Sequence, residues 1–144
     1  MLLACMMTIS ANANALEENL TGLENLQWKH RIILIFAREP HMSNALTNLR
    51  ELAVQIEERD IAWFVLGGSS LQTNYDGKLD DTLREQIMNR YFTPVPTGTA
   101  VLLIGKDGTL KSRSSNLDLE ATFGLIDQMP MRREEMQRQS DDPD

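Results

Sequence analysis

The stretch RIILIFAREPHMSN, residues 31–44, decides how the rest of the chain is read. Residues 32–37 form an unbroken apolar run rich in β-branched and aromatic types, the pattern of a strand buried on both faces of a sheet. Pro40 closes the run by removing a backbone donor. A helical pattern follows, with Leu46, Leu49, Ala53 and Ile56 at spacings of three and four as its core face. Ser43 or Asn44 stands where a cap is expected, and the helix is expected to reach about Arg59. Residues 61–66, IAWFVL, then make a second buried strand closed by Gly67 and Gly68. A strand, a helix and a strand of these lengths form a right-handed βαβ unit. In open α/β sheets, ligands collect beyond the carboxyl ends of such strands, so the loop after residue 37 is the first place to look for function. It holds Arg38, Glu39, Pro40, His41, Met42 and Ser43, and no cysteine.

Downstream, residues 69–78 are polar and read as a loop. Leu79, Leu83, Ile87 and Tyr91 recur at intervals of four, with Asp80 and Asp81 placed to complement a helix dipole in the first turn. The segment TPVPTG, residues 93–98, is a rigid connector to the apolar strand TAVLLI, residues 99–104. Lys106, Asp107 and Gly108 give a hairpin signal, and residues 109–113 read as a short polar edge strand. Ser115 to Asp118 resembles a capping box for a helix that buries Leu119, Phe123 and Ile126 and stops before Pro130. The remainder is polar, and residues 137–144 are expected to form a frayed acidic tail.

Upstream, residues 1–15, MLLACMMTISANANA, carry no charge and end in an A-x-A triplet. That is the apolar core and cleavage site of a secretory signal peptide, here without the usual basic start. Cleavage after Ala15 predicts an exported protein, periplasmic or secreted, whose domain spans residues 16–136. The alternatives are a frayed apolar N-terminus of a cytosolic protein and lipid anchoring through Cys5, the latter disfavoured because only four residues precede it. No later segment has the ~18 consecutive apolar residues of a membrane span.

Cys5 is the only cysteine in the 144 residues. The exported chain would therefore have no thiol, which excludes a disulfide scaffold and predicts no thiol-disulfide oxidoreductase or peroxiredoxin activity. A net charge of −7 argues against nucleic acid as a partner. With only His30 and His41 and no ligand spacing, no metal or other cofactor is expected. The basic cluster Lys29, His30 and Arg31 reads as a solvated strand entrance rather than an anion site.

Two sets of residues remain as candidates. Arg38, Glu39, His41 and Ser43, at the end of the first core strand, could hold a small anionic ligand beside a helix N-terminus. The same residues supply a base, a hydroxyl and an acid for non-thiol catalysis, though a working triad is usually assembled from separate segments. Met129, Met131, Arg132, Arg133 and Met136 have the composition of a protein interface, or of a cap on the domain's own core.

The order β, α, β, α, β, β, α resembles the thioredoxin-like fold, a three-layer α/β/α sandwich around a mixed four-stranded sheet. More specifically, LQWKHR (residues 26–31), VLLIGKDG (101–108) and IDQMPMRREEM (126–136) resemble the domain of unknown function 4174 family over nearly the whole expected domain. The resemblance implies a thioredoxin-like fold in exported bacterial proteins, with related domains in animal extracellular proteins. It brings no settled activity. The redox members of that fold place a cis-proline just before the hairpin, where this chain has Gly98, Thr99 and Ala100. A non-redox binding or protein-interaction module is the expectation, and an enzyme using the strand-end cleft is the alternative.

Overall fold

The computed structural model describes residues 19–141. The expected leader and Cys5 lie outside them. A short 3-10 turn at Leu23–Leu26 precedes the first strand. The strands are β1 (Arg31–Phe36), β2 (Ile61–Gly67), β3 (Ser70–Thr73), β4 (Ala100–Ile104) and β5 (Leu110–Ser114). The helices are α1 (His41–Glu51), α2 (Ala53–Glu58), α3 (Leu83–Tyr91), α4 (Leu119–Asp127) and α5 (Pro130–Asp141).

The sheet runs β3-β2-β1-β4-β5. β1 and β2 are parallel, as a βαβ unit requires, and β4 lies antiparallel to β1 on its other side. The two central strands carry continuous apolar runs because both faces of the sheet are covered. Ile33, Ile35, Trp63, Val65 and Leu103 point to one face and pack with Leu46, Leu49, Ile56, Phe123 and Ile126 of α1, α2 and α4. Ile32, Leu34, Phe36, Phe64 and Leu102 point to the other, against Leu83 and Ile87 of α3 and Leu20, Leu23 and Leu26. The expected three layers are present.

Five details differ from the expectations. The sheet has five strands rather than four, because residues 70–73 pair antiparallel with β2 instead of forming part of a loop. The two residues between them, Gly68 and Ser69, form a tight hairpin turn in which Gly68 takes φ +53, a conformation open to glycine. The helix after β1 breaks at Leu52 (φ −103, ψ 26), which shifts its phase. Leu52 is thereby half-buried against the core and Ala53 is exposed.

α3 starts at Leu83 rather than Leu79, since Leu79 is bridged to Leu20 and the Asp80 side chain takes the Thr82 N–H. The cap of α4 is Asp118, whose carboxylate accepts from the Ala121 N–H at 3.0 Å. Finally, Pro130 both ends α4 and opens α5, the first-turn place that suits a residue lacking an N–H. The segment expected to fray is helical through Asp141.

Candidate functional site

At the carboxyl end of β1 the chain turns across Gly67. A Cβ there would lie 2.8 Å from the Ala37 carbonyl oxygen and on the Met42 sulfur, so the glycine admits the loop. Arg38 leaves the loop toward the connector before β4, and its Nη1 donates to the carbonyls of Pro96 (3.1 Å) and Thr97 (3.3 Å). Its guanidinium lies 5.0 Å from the centroid of the Phe36 ring. The rigid connector thus supplies the acceptors that tie the two loops together.

Between them opens a cleft of about 490 Å³, within the ~300–1,000 Å³ of ordinary small-molecule sites. Its walls are Arg38 and His41, then Asn44, Ala45 and Asn48 along α1, residues 97–99, and residues 115–117. No carboxylate lines it. The side chains of Asn44 and Asn48 make no hydrogen bond among the described residues.

Of the four residues picked out here from the sequence, Arg38 and His41 share this cleft, while Glu39 and Ser43 do not line it. Ser43 Oγ donates to the Glu39 carboxylate at 2.7–2.8 Å on the exposed side of the first turn of α1. Pro40 occupies the N-cap position, and no side chain, neither Ser43 nor Asn44, caps the turn. His41 bonds to neither Glu39 nor Ser43, so the base, hydroxyl and acid of a hydrolytic group are not assembled. Among the described residues no three His, Cys, Asp or Glu side chains are grouped to hold a metal ion. No helix of the described residues is long and apolar enough to cross a membrane.

The amino end of the sheet is built differently. Arg31, read from the sequence as part of a solvated entrance, is 1% exposed. Its two terminal nitrogens lie 3.2 and 3.3 Å from the Glu135 carboxylate of α5, and Nη1 also donates to the Arg59 carbonyl. Lys106, at the β4–β5 turn, reaches the same carboxylate at 2.6 Å and Asp60 at 2.9 Å. Asp127 receives both Arg59 (3.0 and 2.9 Å) and Arg132 (3.2 Å). Arg132 Nη1 further donates to the Glu58 carbonyl, and Arg59 stacks 4.5 Å above the centroid of Phe123.

Burial is the largest effect on Glu135 and would raise its pKa. The hydrogen bonds and charges of Lys106 and Arg31 overcome it and hold the group below the usual range. Asp127 is likewise held low, chiefly by Arg59, against partial burial.

This network takes up part of the expected interface. Arg132 is buried within it, so it is closed to a partner. Met129 packs half-buried on the α1/α2/α4 core and Met136 is half-buried. Arg133 and Met131 remain exposed. Sequence reasoning missed Arg31, Arg59, Lys106, Asp127 and Glu135 because their partners stand up to 104 residues apart. The available signal was an arginine opening a strand otherwise made for burial on both faces.

The three stretches that carried the family resemblance meet here: Arg31 from the first, Lys106 from the second, and Asp127, Arg132 and Glu135 from the third. Trp28 N–H also donates to the Lys106 carbonyl at 2.6 Å, and Gln27 Nε2 to the Asp107 carbonyl at 2.9 Å. No curated protein matches the chain. Among solved structures the chain is similar to the reduced 2-Cys peroxiredoxin of Plasmodium vivax, with a TM-score of 0.52 and 15% identity over 78% of this chain and 84% of that one. That likeness concerns the fold, which is thioredoxin-like. Residues 22–135 match a domain of unknown function, and the chain belongs to that family, DUF4174.

Proposed function

We propose that this chain is an exported binding module that holds a small anionic ligand in the cleft beyond β1 and carries out no thiol chemistry. The observation that carries the reading is the composition of the cleft. In a chain of net charge −7, its lining includes Arg38 and His41 and not one carboxylate. A local excess of positive charge on an acidic protein steers anions to that place. The absence of thiol chemistry is supported by the position of the only cysteine. Cys5 precedes the family-matched residues 22–135, whereas thiol catalysis on this fold needs a thiolate at the start of the first core helix. Export is supported by the apolar leader and the triplet ending at Ala15.

Titrating the protein with acetate and inorganic phosphate while following its backbone amide resonances tests the cleft. Shifts should concentrate at residues 38–48, 97–99 and 115–117, and should vanish in an Arg38→Ala, His41→Ala variant. Shifts scattered over the surface, or unchanged in the variant, would sink the reading. Mass spectrometry of the protein from its source cell tests export, with a chain starting at Leu16 as the expected product.

A further inference from the structure

The groups left without partners in the cleft narrow the ligand further, on the footing that the cleft is the binding site. We propose that it takes a small polyhydroxylated carboxylate, the chemistry of a sugar acid, with the carboxylate on Arg38 and the hydroxyls on the amides of Asn44, Asn48 and Asn116.

Arg38 uses Nη1 on the Pro96 and Thr97 carbonyls and leaves Nε and Nη2 without partners among the described residues. Those two N–H groups form the edge that grips a planar carboxylate through two parallel bonds. Two carbonyls and the Phe36 ring already hold the guanidinium, so binding freezes little additional side-chain motion. Phosphate is served less well. It calls for a second permanent cation or a glycine-rich nest of backbone N–H groups, and Gly98 is the single glycine lining the cleft.

The amides select the rest of the ligand. Asn44 and Asn48 stand one turn apart on α1 with both side chains unpartnered. Asn116 lies among the residues of the loop before α4, and its only side-chain contact is a long one, 3.4 Å, from Ser114 to Oδ1. An amide offers a donor and an acceptor together, which is what a hydroxyl can answer with both its proton and its lone pairs. A row of such groups beside one guanidinium fits a ligand with several hydroxyls and one negative charge. Ala45 and Leu117 supply only a small apolar surface, suited to the C–H face of a sugar and too little for an acyl tail.

The test is calorimetric titration of the full chain with glucuronate, galacturonate and gluconate, beside glucose, acetate and inorganic phosphate. The proposal expects at least one sugar acid to bind about tenfold or more tighter than glucose, acetate or phosphate. It also expects Asn44→Ala, Asn48→Ala to weaken that acid about tenfold without changing acetate, since about 1.4 kcal/mol of lost hydrogen bonding is a tenfold change. Both positions are exposed, so the variant keeps its fold. If acetate or phosphate binds as tightly as every sugar acid, the sugar-acid class is overturned while the anion-binding cleft stands. If none of the anions binds, both fall.

Discussion

Arg38 and Arg31 flank the same strand, one just beyond its carboxyl end and one opening it, and the protein treats them in opposite ways. Arg38 is exposed, bonded to two carbonyls, and faces a cleft lined by unpartnered amides. Arg31 is almost fully buried and paired with a carboxylate that two further cations approach. A buried guanidinium without its counter-ion is costly, so the ion pairs at the amino end of the sheet require completion. An exposed polar side chain carries no such penalty, and the carboxyl end can stay open for a ligand. The network does a structural task. α5 is polar on all sides and its one buried side chain is Arg132, so charge rather than apolar burial fastens it to the domain.

The sharpest way to break this comparison is Glu135→Gln. It leaves Arg31 and Lys106 short of their shared negative charge, and urea unfolding should show a loss of about 3 kcal/mol, in the range for breaking a buried pair. A loss under about 1 kcal/mol would show that the amino end is no more demanding than the cleft. Replacing both partners, Arg31→Met with Glu135→Met, should recover part of the loss, because Lys106 keeps Asp60 and no guanidinium is left buried without a counter-ion.

Acid should distinguish the ends next. Asp127 and Glu135 are held below the usual carboxylate range in the folded protein, so their stabilisation is complete above ~pH 5 and is lost as pH falls through the lowered folded values. Unfolding free energy should therefore be level above that pH and fall below ~pH 4, and in Glu135→Gln the fall should be shallower. An equal fall in both proteins would remove Glu135 from the account. The smallest effect is expected at the cleft, where Arg38→Ala loses two hydrogen bonds and a ring contact at an exposed position and should cost about 1 kcal/mol or less in the same unfolding measurement.

How far each end was legible follows from the range of the interactions that built it. Continuous apolar runs exposed β1, β2 and β4, and apolar periodicity exposed the helical segments after β1, before β4 and after β5, because both signals are local. α5 escaped because it is polar on all sides. β3 escaped because residues 70–73 carry a single apolar side chain, Leu71, and are only half covered, although the Gly68-Ser69 turn was a local hairpin signal. Periodicity carried straight through Leu52 could not register the break that moved Ala53 out of the core. At the cleft, residue types in the loop after β1 were enough to pick Arg38 and His41, since a strand's end is a local place. Asn44, Asn48, Thr97 and Asn116 were not picked, because their approach depends on how β4 and α4 return beside α1.

By itself, then, the sequence determined the three-layer α/β class, the burial of the central strands and the presence of a single cysteine ahead of the domain, all of them consequences of composition and short-range pattern. The tertiary structure alone decided that Glu39 and Ser43 stand outside the cleft, that Arg132 faces inward, and that Arg31, Lys106 and Glu135 meet. An ion pair forms between side chains brought within a few ångströms. For residues 104 positions apart, only the path of the backbone sets that distance.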